Sequence, residues 1–409
     1  MSRTFLILTH YYLPEIGAPQ NRLSALANNL INRGHSVEIL CPTPNYPKNK
    51  IYNNYKNNFY QKEIINSVTV HRTWVFTSLN RTFINRLLNY FSFNFSSLFA
   101  LNKINKPDYI ICESPPLFLG VNALIIKKIF KSKLVFNVSD LWPESAEILG
   151  IVRNKFILNI CYKLEKFIYI KSNYVSCQTR GIMGSILDRY PDVNTVWFPN
   201  GVDTETLNSV KINNDWKRKY KVEAKKIFVY AGIIGFAQGL EILIKSKKYL
   251  DNNYKNISEK IQFLIIGDGP EKRNLVELNN RLKTNLIFLD GMPKSDLLSI
   301  IKSCEAFIVP LKKNKLFEGA IPSKIFDPLS LSIPVILGVD GEAKSIFFEE
   351  SNSVLYYRPD DFVDLSYKIV SLLEDKILRK RIISNGKDLV NRKFDRNALI
   401  DNLLEKLLI

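Results

Sequence analysis

A two-domain, doubly wound α/β fold is what this chain predicts, and three observations predict it. At 409 residues it is too long for one ordinary core. Its apolar runs are short and continuous, as in parallel strands buried on both faces, and they alternate with segments of helical periodicity. The alternation breaks off in a polar stretch over 204–226 and then starts again. Two such runs mean two Rossmann-like domains, placed at 1–203 and 204–394, with ligands expected in the cleft at the carboxyl ends of both sheets.

The first strand is expected over 5–9. A loop with Pro14, Gly17 and Pro19 follows, then a helix to about Arg33 with Leu23, Leu26, Ala27 and Leu30 at helical spacing. Gly34 stops that helix, and 37–40 is the next strand, which makes a βαβ unit with a right-handed crossover. Further strands are expected at 68–72, 109–112, 134–138, 174–178 and 195–198, and helices at 81–103, 118–130, 153–172 and 180–189. After the turn cluster at 199–203, strands are expected at 227–231, 262–267, 286–289, 306–310 and 334–337. Helices at 238–250, 271–282, 294–303 and 323–331 alternate with them, and three more over 361–375, 376–392 and 395–408 close the chain.

Composition bounds the partners. Apolar residues make up 46% and charged residues 23%, as in folded globular proteins. Fifty-seven Lys and Arg against 39 Asp and Glu give +18, spread over both halves. That excess attracts nucleic acid, anionic lipid or a phosphorylated substrate without choosing among them. Cysteines 41, 112, 161, 177 and 304 show no Cys-x-x-Cys and no zinc spacing, so buried thiols in a reducing compartment are expected. The apolar run at the N-terminus is too short for a signal peptide, and no run of about 18 uncharged apolar residues predicts a membrane span.

Several loops could carry chemistry. The most informative is the stretch over 318–336, where Lys324 and Asp327 stand three apart near a helix start, a cation for phosphate and an acid for ribose hydroxyls. Gly232, Gly235 and Gly239 follow the first strand of the second run. They are not the dinucleotide pattern, yet they suit a backbone cradle for a diphosphate. Gly267-Asp268-Gly-Pro270 is either a plain turn capped by its aspartate or a ligand contact. Asp140, after the strand at 134–138, either holds a sugar hydroxyl or the acceptor, or caps a turn. In the first βα loop, Gly17 and Ala18 let backbone approach a ligand, and Glu15, Arg22 and the strand-end His10 stand nearby; an ordinary βα turn is the alternative. No Ser-His-Asp order, no H-E-x-x-H, no G-x-S-x-G and no Asp-x-Asp occurs. Residues 81–103 hold five Phe, three cations and no acid, and 48–62 adds four lysines among aromatics. Here Phe83, Phe91, Phe95 and Lys56 are candidates for contact with an anionic membrane, against the alternative of a helix packed in the core.

Taken in order, seven stretches resemble a bacterial family 4 glycosyltransferase of the two-Rossmann, GT-B architecture, in the subgroup similar to the L-fucosamine and colanic-acid surface-polysaccharide transferases. They are residues 12–18, 33–37, 140–145, 200–203, 231–232 with 238–240, 267–270, and 319–324 through Asp327. The resemblance implies a retaining transferase (hexosyl or N-acetylhexosaminyl) with no cofactor and no metal, in keeping with the missing Asp-x-Asp. Its donor would be a nucleotide-sugar held by the second domain, and its acceptor a polyprenyl-diphosphate-linked saccharide of O-antigen or capsule held by the first. It further implies a cytoplasmic enzyme peripheral to the inner face of the plasma membrane, no nucleic-acid partner, and a last helix that returns to the first domain. Lys324, Asp140 and Glu318 are the expected catalytic residues. Gly232, Gly235, Gln238, Gly267, Asp268, Ser323 and Asp327 are expected to bind the donor, with Asp327 in the place of a ribose-binding glutamate. A nucleotide-sugar epimerase, a sugar phosphorylase and a non-catalytic nucleotide- or membrane-binding module are the competing readings.

Overall fold

The computed structural model describes the chain except residues 1, 16, 48, 81, 149, 205, 206, 208, 213, 214, 221, 223–225 and 409, and at Ala18 and Phe83 it describes the backbone. The chain divides between Pro199 and Asn200 into two units, and residues 400–409 group with the first.

The first domain is one eight-stranded sheet in the order β3-β4-β2-β1-β5-β6-β7-β8. Its strands are β1 (Thr4–Leu8), β2 (Ser36–Pro42), β3 (Tyr60–Ile65), β4 (Val68–Thr73), β5 (Tyr109–Ser114), β6 (Lys133–Val138), β7 (Tyr174–Cys177) and β8 (Thr195–Trp197). All pairings are parallel except that of β3 with β4. The central strands are buried along their length, which is why they read as continuous apolar runs. Helix α1 (Ala18–Asn32) carries Pro19 in its first turn and ends before Gly34, whose φ of 81° suits glycine. Helix α2 (Phe83–Leu98) is capped by the Thr82 side chain on the Asn85 amide. Then come α3 (Leu119–Phe130), α4 (Glu144–Ile148), α5 (Lys155–Lys171), started by Asn154, and α6 (Arg180–Arg189), started by Thr179. The C-terminal helix Arg396–Leu408 reaches this domain: the Tyr109 hydroxyl donates to the Leu407 carbonyl at 2.5 Å, and Arg33 pairs with Asp401 at 2.6 Å.

The second domain is a six-stranded, all-parallel sheet in the order β11-β10-β9-β12-β13-β14. Its strands are β9 (Lys226–Ala231), β10 (Ile261–Ile266), β11 (Ile287–Leu289), β12 (Ala306–Pro310), β13 (Val335–Gly338) and β14 (Leu355–Tyr356). The helices Glu241–Asn253, Lys272–Leu282, Lys294–Lys302, Phe362–Glu374 and Lys376–Lys393 stand where periodicity put them.

Several details depart from the sequence reading, among them the edge strand β14, which no expected strand covered. The antiparallel edge strand β3 lies in a stretch read only as basic and aromatic; being an edge, it is half exposed and mostly polar, so it carries no buried run. The helix expected over 81–103 ends at Leu98, and a separate short turn covers Leu101–Lys103. The stretch at 204–226 contains the helix Asp215–Lys219, anchored by the buried Trp216. The helix expected over 323–331 is a 3-10 turn, Ser323–Ile325, followed by one α-helical turn, Phe326–Ser330. All five cysteines are buried and unpaired. Among the described residues no helix is long and apolar enough to cross a membrane.

Candidate functional site

In the second sheet the chain leaves β9 toward β10 on one side and later fills β12 on the other, so the strand order reverses between β9 and β12. A crevice opens at the carboxyl end of a sheet at such a point. The loops after these two strands bring Gly232 and Lys324 together: a Cβ added at Gly232 would lie 3.1 Å from the Lys324 Nζ. Lys324 Nζ donates to the Tyr230 hydroxyl at 2.7 Å and sits 4.3 Å from the centre of that ring. The hydroxyl sends its own proton to the Ile233 carbonyl at 2.6 Å. No carboxylate pairs with Lys324 among the described residues, and burial alone pulls its ammonium down to about 7. The site therefore holds a desolvated amine without a counter-anion, beside a residue lacking a side chain.

The glycine loops after β9 and β10 lie one on the other. Gly267 has φ of 145°, and a Cβ there would come within 1.9 Å of the Gly232 carbonyl oxygen. Gly269, with φ of 158°, abuts the Ile234 carbonyl in the same way. The Ile234 amide donates to the Asp268 carbonyl at 2.9 Å and the Gly232 amide to Ile266 at 3.0 Å. Only glycine fits these close passages.

The expected cradle differs from the sequence reading in one respect. The Gly235 amide is not offered outward; the Gln238 side-chain oxygen accepts it at 3.1 Å, so both residues serve the loop's own turn. Asp268 is exposed, and its carboxylate accepts the Gly269 amide at 2.8 Å, which is the turn-capping alternative. Ser323 opens the 3-10 turn and is partly exposed. Asp327 is paired with Lys294 at 3.3 Å, so it and Lys324 have different partners. Glu318 has an exposed side chain, while its carbonyl is fixed by the Glu342 amide at 2.7 Å. The sequence reading missed Tyr230 and Lys294. Tyr230 lies inside an apolar strand run, where a buried phenol signals a hydrogen-bond partner without naming it.

In the first sheet the order reverses between β1 and β5. Arg22, on the helix after β1, forms a buried ion pair with Glu113 at the end of β5, and donates to Ser139 Oγ at 3.1 Å. Asn137 donates to the other Glu113 oxygen at 2.9 Å, and Gln178 to Ser139 Oγ at 2.6 Å. Arg22, expected on the acceptor side, thus faces a polar network inside the domain. His10 and Glu15 also point inward. His10 is 1% exposed, its Nε2 lies 2.7 Å from the Asn89 Oδ1, and burial lowers its imidazole to about 4, so it is neutral. The Asn89 amide nitrogen donates elsewhere, to Phe76 at 2.7 Å, which makes the imidazole the donor at Nε2. Glu15 is buried and accepts the amides of Asn45 and Tyr46 at 2.7 and 2.8 Å; burial pushes its carboxyl up. Gly17 is extended and stands over the Gln20 amide. Asp140 is exposed after β6, near Ser145 and Leu141, so the turn cap and the ligand contact both stay open to it. Of the membrane candidates, Phe91, Phe95 and Lys56 are exposed, and the Phe83 side chain lies outside the described residues.

Known proteins agree with this architecture. Residues 20–206 match the family model Glycosyltransferase Family 4, and residues 212–389 match Glycosyl transferases group 1. The putative colanic acid biosynthesis glycosyl transferase WcaI of Escherichia coli is 24% identical over 330 residues, 78% of this chain and 79% of that protein. The capsular polysaccharide biosynthesis glycosyltransferase CapM of Staphylococcus aureus is 25% identical over 197 residues, 47% of this chain and 48% of its own. The structure of Anabaena Alr3699/HepE in complex with UDP and glucose covers 99% of both chains at 15% identity with a TM-score of 0.71. Matched by these two models in turn along its length, and built on two parallel-sheet domains, the chain belongs to the family 4 type of glycosyltransferases and has the GT-B fold.

Proposed function

We propose that this glycosyltransferase moves a hexosyl or N-acetylhexosaminyl group from a nucleotide-sugar to a lipid-linked saccharide during assembly of a surface polysaccharide, O-antigen or capsule, with retention and without a metal. One observation carries the donor side: the Lys324 amine, desolvated and without a carboxylate, beside Gly232 where the strand order reverses. A diphosphate is the ligand that such an amine lacks. The names of WcaI and CapM support the polysaccharide class, and the UDP and glucose of HepE support the donor class.

The reaction breaks the bond from the anomeric carbon to the diphosphate oxygen and forms one to an acceptor hydroxyl. Lys324 stabilises the charge that grows on the leaving diphosphate, and Tyr230 fixes the amine in place. The departing phosphate oxygen takes the acceptor proton on the same face, so no protein base is required. Asp327 takes the ribose hydroxyls once Lys294 shares it, Glu318 offers its exposed carboxylate to the sugar, and Asp140 receives the acceptor. Contact with the anionic inner face of the plasma membrane through 81–103 brings enzyme and acceptor together.

A thermal-shift screen against UDP-, GDP- and dTDP-sugars, followed by product analysis with the best donor, tests the reading. Stabilisation by one nucleotide class and a product with a retained anomeric configuration are expected. Stabilisation by none of them, or products formed from donor alone by epimerisation, overturns it.

A further inference from the structure

The first domain presents a face that no catalytic step uses. Helices α2, α3 and α5 lie side by side on one side of the sheet. The Asn122 side chain of α3 donates to the Asn94 carbonyl of α2 at 2.5 Å, and Lys127 of α3 donates to the Lys171 carbonyl of α5 at 2.6 Å. Ordinary surface helices turn apolar residues to the core and polar ones of both signs outward. These three do otherwise. On α2, Leu88, Phe91 and Phe95 are exposed, the last by 57%. On α3 the outward stripe is Val121, Ile125 and Ile129, the last 58% exposed. On α5 it includes Ile160, Phe167 and Ile170, with Phe167 52% exposed. Every other exposed residue described on the three helices is apolar or basic except Asn159, and none is acidic. The one glutamate, Glu165, is buried and paired with Arg189.

We infer that the joined outer face of α2, α3 and α5 lies in the interface of an anionic lipid bilayer. Contiguous exposed apolar surface marks an interaction site, and charge selects the occupant. A second copy of this chain docked on the same face would bring lysines against lysines, since a two-fold contact pairs a patch with itself. Anionic headgroups instead meet Lys128, Lys163 and Lys166 while the aromatic and branched side chains between them enter the acyl boundary. The face ends at α6, which carries the exposed Asp188, and the helices of the second domain, taken by themselves, mix signs, as in the pairs Arg273–Glu277 and Arg392–Asp388. The contact is therefore wider than residues 81–103 and centres on α3 and α5. Held this way, the carboxyl edge of the first sheet opens sideways about one helix diameter, roughly 10–12 Å, above the lipid. That suits an acceptor tethered in the same bilayer, and this last step alone rests on the acceptor proposed above.

Flotation of the full chain with vesicles of phosphatidylcholine, alone or mixed with phosphatidylglycerol, tests the face. Binding should need the anionic lipid and fall on the order of tenfold with Ile160→Asp plus Phe167→Asp on α5, and equally with Phe91→Asp plus Phe95→Asp on α2. Ile377→Asp, an exposed position on the second domain, should change nothing. On the wild-type protein, amine labelling read by mass spectrometry should show Lys128, Lys163 and Lys166 protected by anionic vesicles and Lys380 unprotected. Loss from the α2 pair only, no protection on α5, or a lipid-free dimer dissolved by the α5 pair overturns the inference. Donor-induced thermal stabilisation, measured on the same proteins, reports separately on the transferase site and on folding.

Discussion

Lys324→Met keeps the bulk of the side chain and removes its charge, and its effects can be worked from the structure. Burial brings the Lys324 ammonium from its ordinary 10.5 to about 7. At about 1.4 kcal/mol per pH unit, holding the bare charge there costs on the order of 4–5 kcal/mol. A bound diphosphate supplies the missing anion and raises the pKa again, so binding must take up a proton wherever the free site has lost it. Uptake should be near one proton per site well above pH 7 and should fade well below it. Isothermal calorimetry with a nucleotide-sugar, whose diphosphate does not titrate in this range, reads it from two buffers of different ionisation enthalpy. In rate terms kcat/KM should fall above about pH 7, roughly tenfold per unit, while kcat holds to higher pH because the donor-bound lysine stays charged. Lys324→Met should abolish the uptake and lower turnover roughly 30- to 1000-fold, the size of losing a charge-stabilising donor of about 2–4 kcal/mol. Stability follows the opposite sense. Between about 7 and 10.5 the unfolded lysine holds its proton and the folded one does not, so this residue makes stability rise with pH, visible as the wild-type minus Lys324→Met difference. No proton uptake near pH 8, with undiminished donor affinity in Lys324→Met, would refute the reasoning.

Other outcomes follow from neighbouring contacts. Tyr230→Phe removes the oxygen that Lys324 donates to and strands the Ile233 carbonyl; a loss of about 1–2 kcal/mol in kcat/KM is expected from steady-state kinetics, with KM for an acceptor unchanged. Gly267→Ala forces its loop away from Gly232, so calorimetry should show about 2–3 kcal/mol of lost stability and the donor-induced thermal shift should disappear. Arg22→Met leaves Glu113 buried and unpaired, at about 3–5 kcal/mol by denaturant unfolding. Adding Glu113→Leu should restore part of that loss, since an apolar pair leaves no buried charge.

Much of the fold was legible because both sheets are built from strands buried on two faces, which write themselves as apolar runs between glycine and proline turns. What escaped was whatever does not bury: β3 sits at an edge, and its alternating Tyr60–Ile65 resembles surface. Loop positions were legible too, as the meeting of Gly232, Gly267 and Lys324 shows. Side-chain direction was not. Arg22, Glu15 and His10 belong to a loop and helix near the expected crevice, yet each turns inward to Glu113, the 45–46 backbone and Asn89. Spacing places a residue near a site, but the partner across the sheet decides where its charge goes. The same gap hid Lys294, which meets Asp327 from 33 residues away, and hid the outward apolar stripes of α3 and α5, which were expected as helices with no outward face assigned.

The account stands most directly on where the diphosphate binds. A crystal structure with the best nucleotide from the screen should show a phosphate oxygen within hydrogen-bond distance, about 2.7–2.9 Å, of Lys324 Nζ, lying over Gly232. A nucleotide bound elsewhere, with Lys324 still engaged only by Tyr230, would contradict it.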